Sequence, residues 1–459
     1  RVLTAKLAKT AGEGNCLEAV DKALRSQVYV DDLYARNQWG SSLEELKQEL
    51  ITAAARGGFQ FKEWNKVGDE AVIKMLGYQW ECKPDHINLR AKLSVGGSNR
   101  GQKVGTELTE ENVENILTKS LTKRNLLSLV AQIFDPLGLW SPLGVSLRIT
   151  LSEIHNRFKD EQENDDEINF EYKKRCINEV KEVLNGKKVA LPRSVIPRFV
   201  VSAHPDVEII TFCDASTTAY SCAVYLRVEV GEEIDANLLF STSRIAGSRS
   251  FSVPRMELLG AELAVMATER MLFHIKNHVN VIRTSYLTDS QVVLKQLLSP
   301  AGLFDVFTGI RIDSIQTKTD LQEWFHIPGE LNPADLPTRK GATAEEVNSA
   351  SWKKGGIIMK PREMWPVKRI TKFTRDKVLP GQRPMLGAAK LPNPEVQVSV
   401  VHVGNEVQED AVINEYLGKF NNVSTALGGF AFFAFIRRGK AQKTYVEYKQ
   451  DALEDLINH

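Results

Sequence analysis

Cysteine is sparse. The five present, Cys16, Cys82, Cys176, Cys213 and Cys222, are odd in number and scattered, with no C-x-x-C pair. Such a set offers neither a disulfide framework nor a zinc site. It suits a reducing compartment, so an intracellular location, cytoplasmic or nuclear, is expected. Long hydrophobic runs are also missing. The longest, ALGGFAFFAFI at 426–436, falls short of the about 20 residues a bilayer needs, and no stretch reads as a signal peptide. No membrane partner is expected. Nor does one sign of charge dominate: 59 Lys and Arg against 58 Asp and Glu leave a net of +1. No global field announces a polyanionic partner, and local basic surfaces remain open. Asp-Thr-Gly and Asp-Ser-Gly, one of which an aspartic protease needs, do not occur, so nothing supports proteolysis. Internal repeats and low-complexity tracts are absent too.

What remains is an ordinary globular composition, 42% hydrophobic and 25% charged, over 459 residues, room for about three domains. Position 1 is Arg rather than Met, and a segment cut from a longer precursor is expected. Residues 1–26 read as the end of a helix feeding the strand QVYV. Two aspartates, Asp31 and Asp32, follow in a turn. In SSLEELKQELITAAARGG, Ser42 and Glu45 form a candidate capping box. Leu43, Leu46 and Leu50 make an apolar stripe, and Gly57 stops the helix. FQFKEW (59–64) alternates like a strand, and VIKMLGYQWE (72–81) looks like another. Residues 96–190 are mainly helical by apolar spacing, with a stop at Asp135-Pro136 and a restart at Ser141-Pro142. The charged stretch 159–175 suits a solvated helix face or loop, and ALPRSVIPRF (190–199) a linker.

Residues 206–340 change character. Three strand patterns are followed by a long helix, PRMELLGAELAVMATERMLFHI, the strand VIRTSYLTD, the helix SQVVLKQLL, a further helical stretch and the strand LQEWFHIPG. Hairpin strands followed by alternating helix and strand imply a mixed sheet with helices packed on it. Beyond 346 the clearest feature is a possible amphipathic helix at 411–420.

Four acidic residues in that stretch stand where such a sheet brings chain ends together. Asp214 ends the first strand, Glu257 lies in the first turn of the long helix, Asp289 ends the fourth strand, and Asp335 follows the fifth in NPAD. Each alone has an ordinary account. Asp214 with Ser216 can make an Asx-type turn, and Glu257 can complement the helix dipole. Asp289 or Ser290 can cap the next helix, and Asn332 can cap a helix beginning at Pro333. Together they would repel strongly unless cations neutralised them. Hard oxygen ligands in that number suit Mg²⁺ or Mn²⁺, and two such ions about 3.5–4 Å apart can drive phosphodiester hydrolysis.

FCDAS, SVPRMELLGAELA, YLTDSQVVLKQL and HIPGELNPADLPTR resemble, in order, the four catalytic motifs of ribonuclease H. The wording of SRIAG…SVPRMELLGAELA and NPADLPTR is most similar to the BEL/Pao class of LTR retrotransposon polyproteins. The resemblance implies an Asp-Glu-Asp-Asp set at Asp214, Glu257, Asp289 and Asp335, two Mg²⁺ (or Mn²⁺) ions, and cleavage of the RNA strand of RNA–DNA hybrids. Cellular and retroviral relatives often carry a loop histidine before the last aspartate. The nearby His326 reads instead as a strand residue.

The resemblance extends outward. YVDDLYARNQW, GGFQFKEWN and MLGYQWE are similar to the last third of a reverse-transcriptase palm, with MLGY (75–78) as its primer-gripping turn. LTKRNLLSLVAQIFDPLGLWSPLGVSLR is similar to the segment between palm and ribonuclease H. Residues 349–366 and 413–425 resemble the stretch leading to an integrase. The implied fold is α/β (α+β). It comprises a partial palm at 1–95, a helical thumb or connection at 96–195, a ribonuclease H-like mixed sheet at 196–345 and a pre-integrase segment at 346–459. RNA, DNA and their hybrid are the implied partners, with integrase as a possible protein partner. Lys123, Arg124, Arg244 and Arg255 are candidate phosphate contacts, the first two equally readable as a solvated helix face. The only aspartate before Tyr29 is Asp21, in a helical context. Asp31 and Asp32 therefore form half a polymerase metal site, and independent DNA synthesis is not expected. The alternative to a nuclease is a non-catalytic nucleic-acid-binding remnant of such a polyprotein.

Overall fold

The computed structural model describes isolated stretches between residues 20 and 64, then 71–157 apart from 97, 100–101 and 104, 166–246 apart from 203, 251–369, and 379–381. The chain divides into two units, Arg1–Pro384 and Met385–His459, and every described residue belongs to the first. The amphipathic pattern at 411–420 lies outside the described residues.

Strands β1 (Val28–Tyr29) and β2 (Asp32–Leu33) pair antiparallel with Tyr29 opposite Asp32. Helix α1 (Leu43–Arg56) begins at the capping box: Ser42 Oγ accepts from Glu45 N–H, and the Glu45 carboxylate accepts from Ser42 N–H. It ends in a Schellman turn, with Phe59 N–H donating to Ala54 O and Gly58 N–H to Ala55 O. The left-handed residue is Gly58 (φ +80°), one after the Gly57 cap.

Residues 59–61 and 64 are not strand, contrary to the alternating pattern of FQFKEW. Phe59 is committed to the helix terminus, while Phe61 and Trp64 meet edge to face and pack against the core that holds Leu46 and Leu50. The 72–81 stretch is likewise two strands rather than one, β3 (Val72–Met75) and β4 (Tyr78–Glu81). Both residues of their two-residue turn have positive φ, Leu76 (+48°) and Gly77 (+83°), as a hairpin turn matched to strand twist requires. Strand β5 (His86–Leu89) extends this sheet. Short ladders follow, β6 (Ser94–Val95) with β9 (Thr106–Glu107) and β7 (Ser98–Asn99) with β8 (Gln102–Lys103).

Four helices come next: α2 (Val113–Ser120), α3 (Lys123–Gln132), α4 (Ser141–Arg157) and α5 (Phe170–Gly186). Helix α4 is buried along most of its length, as an interior helix must be. Its buried hydroxyls are matched: Ser141 with Ser241, Ser146 with the Ala342 amide, and Thr150 with Glu179. The 190–199 stretch does not begin as a linker. Ala190–Pro192 forms β10, which pairs with β5 and closes the hairpin sheet in the order β10-β5-β4-β3. The Pro192 at its end is tolerated because β10 is an edge strand.

The second sheet is mixed, as the sequence pattern implies. Antiparallel β11 (Asp206–Ala215), β12 (Ala219–Val230) and β13 (Glu233–Ile245) are joined by parallel β14 (Asn280–Thr288) and β15 (Trp324–His326), in the order β13-β12-β11-β14-β15. Helices α6 (Val253–Ile275), α7 (Gln291–Leu297) and α8 (Val306–Lys318) follow the strands. On β11, Val207, Ile209 and Cys213 share a core with α6 residues such as Leu258, Ala261 and Ala264. The alternate residues Ile210 and Phe212 join a different core, shared with Leu139, Trp140, Leu143 and Trp352. The period of two thus buries both faces of the sheet, one under α6, the other under α4 and the short helices α9 (Ala344–Asn348) and α10 (Ala350–Lys354). That second core runs without interruption from Tyr78 to Trp365. No helix among the described residues is long and apolar enough to cross a membrane.

Candidate active site

Strands β11 and β14 run parallel with Cys213 opposite Thr288. The residues after them, Asp214 and Asp289, therefore emerge side by side at the same edge. Glu257 is the fifth residue of α6, just past the first turn in which the sequence places it. Close helix–strand contact brings it there. A Cβ at Gly260 would stand 2.9 Å from the Asp214 carbonyl oxygen, so only glycine lets α6 approach so near. Glu257 lies three residues before Gly260 and shares its side of the helix.

The electrostatics follow from this crowding. Burial, then Asp289, pushes the Asp214 carboxyl above its usual range. Asp289 is also raised, chiefly by burial, and the two side chains share a hydrogen bond. Burial pushes Glu257 up to about 7, with Asp289 and Asp214 adding to the shift and a Ser290 hydrogen bond opposing it. Glu257 Oε2 is buried and makes no hydrogen bond. Three neighbouring carboxyls that resist ionisation, one with an orphaned oxygen, are a donor set that a hard divalent cation would suit.

Asp335 is placed differently. It sits in the 3-10 turn Pro333–Thr338 with its side chain 52% exposed, and its Oδ2 is 3.1 Å from Arg339 Nε. Among the described residues, no group of three or more His, Cys, Asp or Glu side chains stands arranged to hold a metal ion. Turning Asp335 toward the other three means giving up its pair with Arg339. An exposed pair of that kind is worth about 0–1 kcal/mol, a small barrier.

The ordinary local roles are shared out among other residues. Asn332 caps the 3-10 turn, accepting from Ala334 N–H, and Ser290 caps α7, accepting from Val293 N–H. Ser216 Oγ, rather than Asp214, accepts from Thr218 N–H in the β11–β12 turn. Asp214 and Asp289 are thus not taken up as caps.

Three polar residues that sequence reasoning left without a site role position the carboxylates. Thr338 Oγ1 is 2.8 Å from Asp214 Oδ2. Asn332 Nδ2 lies 3.0 Å from Cys213 O and 3.5 Å from Asp289 Oδ1, bridging the two strand ends. Ser290 supports Glu257. Asn332 and Thr338 both lie in NPADLPT, but a cap and a hydroxyl carry no local sign of which distant carboxylate they meet.

His326 is in β15, where its backbone exchanges hydrogen bonds with Lys368. Lys123 is buried at the start of α3, beside an exposed Arg124. Arg244 is exposed near the end of β13. Arg255, two residues before Glu257, pairs with Asp305 at 3.3 Å and lies over the Phe307 ring at 5.1 Å. Asp31 lies outside the described residues, and Asp32 is described only through its backbone pairing.

Residues 122–290 match the family described as the Pao retrotransposon-like RNaseH-like domain. No curated protein matches the chain. Among solved structures, the chain is similar to RNase H1 from the halophilic archaeon Halobacterium salinarum NRC-1. That match has 18% identity, covers 28% of this chain and 90% of the other, and has a TM-score of 0.19. It is also similar to the foamy viral protease-reverse transcriptase solved in complex with an RNA/DNA hybrid. There the identity is 11%, the cover 74% and 46%, and the TM-score 0.20.

Proposed function

We propose that this chain, which is of the Pao retrotransposon class over residues 122–290, is a ribonuclease H-type endonuclease that hydrolyses the RNA strand of RNA–DNA hybrids. The observation that carries the proposal is the convergence of Asp214, Glu257 and Asp289 at one sheet edge, with a buried, unpartnered oxygen on Glu257. These three, joined by Asp335, would hold two divalent cations, Mg²⁺ or Mn²⁺. Bound there, such ions would supply charge stabilisation for phosphodiester hydrolysis. The chain itself supplies the oxygens and their aim. Thr338 fixes Asp214, Asn332 ties Asp289 to the end of β11, Ser290 holds one side of Glu257, and Gly260 sets the distance between α6 and β11. The same reading takes 1–95 as an incomplete palm, 96–195 as thumb or connection, 196–345 as the nuclease and 346–459 as pre-integrase. It expects no DNA synthesis by the chain alone.

The test is cleavage of an end-labelled RNA–DNA hybrid with Mg²⁺, comparing the chain with Asp289→Asn. Cleavage that falls to background in the variant is expected. Equal cleavage by both would refute the assignment, and primer extension by the chain would refute the absence of polymerase activity. A second reading, binding without turnover, is favoured by the Asp335–Arg339 pair, which engages one oxygen of the fourth carboxylate. Under that reading the hybrid binds with a salt-dependent affinity and is not cut.

A further inference from the structure

A second charged constellation lies on the same strand as Asp214 and takes no part in the carboxylate cluster. Glu208 is six residues before Asp214, so the period of two puts both on the same face of β11, about 20 Å apart at about 3.3 Å per residue. Glu208 stands opposite Arg227 of β12 on one side and Arg283 of β14 on the other. Its carboxylate takes Arg227 at 2.7 Å, Arg283 at 3.0 Å and, from the segment after the sheet, Arg362 at 3.1 Å. Arg369 joins them over the Phe325 ring at 5.0 Å, a ring that Arg362 also approaches at 5.8 Å. Among the described residues, the carboxylates in contact with the group are Glu208 and Glu229, the latter 2.7 Å from Arg227. Four guanidinium groups against these two carboxylates leave a surplus of two positive charges among the described residues.

A structural clamp accounts for part of this. Arg227 is 1% exposed and spends its remaining donors on Ile358 O and Lys360 O, while Arg362 also reaches Ser285 Oγ. These two arginines pin the 356–369 segment to the sheet. Arg283 and Arg369 are not needed for that. The Arg283 side chain is 52% exposed and, among the described residues, bonds only through Nη1 to Glu208. Arg369 is exposed and, among the described residues, makes only its ring contact. A guanidinium has five donors, so most of theirs are left for solvent or a ligand.

We propose that Arg283 and Arg369, backed by Arg362, form a phosphodiester-binding patch toward the opposite ends of the strands from the carboxylate cluster, and that it grips the backbone of a nucleic acid. The surplus charge sits on an open surface, which suits successive phosphates of a polyanion. Planar guanidinium groups bind phosphate oxygens in pairs. The choice of nucleic acid as the polyanion rests on the nuclease reading, but the patch is testable without catalysis.

The test is fluorescence anisotropy of a labelled RNA–DNA hybrid against the full chain without divalent metal, at several salt concentrations. The Arg283→Ala/Arg369→Ala variant is compared with Lys174→Ala/Arg270→Ala, an equal charge change on exposed helix positions. Loss of two phosphate contacts lowers the slope of log affinity against log salt by about 2, and affinity at low salt by about fivefold or more. The control variant keeps the wild-type slope. Equal slopes for the two variants, or no hybrid binding by the wild type, overturn the proposal. An intact patch with no cleavage would instead refute the nuclease reading alone.

Discussion

Replacing Tyr78 by Phe removes one oxygen from the junction between the hairpin sheet and the mixed sheet. Tyr78 Oη donates to Asp135 Oδ1 at 2.6 Å and accepts from Leu137 N–H at 2.9 Å. The same carboxylate takes the amides of Leu139 at 3.0 Å and Trp140 at 2.7 Å. Burial holds the Asp135 carboxyl above its ordinary range, and these donors pull it back. The loop they shape then meets β13: Ser241 donates from its amide to Leu137 O and from Oγ to Gly138 O. A Cβ at Gly138, whose φ is +69°, would stand 1.9 Å from Ser241 O. A hydrogen bond to a charged group contributes about 1.5–3 kcal/mol, while the Leu137 amide, on a partly exposed residue, can turn to water. With partial relaxation, the loss for Tyr78→Phe is about 2 kcal/mol. Native-state hydrogen exchange reads it directly: amides of β3–β5 that open locally should exchange about thirtyfold faster. A cycle with Asp135→Asn should show a coupling of about 1.5 kcal/mol or more. Unchanged exchange, or a coupling below about 0.5 kcal/mol, would refute the reasoning that this node joins the two sheets.

Two further predictions concern other buried polar groups. Burial pushes Glu179 up to about 7, and its Oε2 has no partner while Oε1 accepts from Thr150. A carboxyl raised in the folded state contributes no penalty below its unfolded value near 4.5. It costs stability progressively as pH rises to 7, by about 3 kcal/mol in total. Urea midpoints of the wild type should therefore fall relative to Glu179→Gln between pH 5 and pH 8; parallel pH dependences would show the group is not buried as a neutral acid. At the candidate active site, Thr338→Val removes the hydroxyl facing Asp214 and should slow hybrid cleavage about 10–100-fold, with Thr338→Ser restoring it. Equal slowing by both variants would mean that Thr338 acts through packing and not through its hydroxyl.

Local chemistry that is complete within a few residues is written in the sequence. The Ser42–Glu45 box, the glycine stop after Arg56 and the break at Asp135-Pro136 each need only neighbours in the chain, and each stands close to where the sequence puts it. The failed strand at 59–64 shows the limit. Its alternation was real, but a strand exists only by pairing, and Phe59 was already bonded to the helix end. The sequence also determined that Asp214, Asp289 and Glu257 belong to strand ends and a helix start, since apolar periodicity fixes those elements.

Only tertiary structure decided how they are used. Parallel register set Asp214 beside Asp289, and an absent side chain at Gly260 set the approach of Glu257. Asp335 pairs with the arginine four residues on, and the sequence offered no reason to rank that pair above the shared site. The pairing of β10 with β5 and the gathering of arginines from positions 227, 283 and 362 on Glu208 join residues far apart in the chain. Their energies depend on distance and burial, which chain order does not encode.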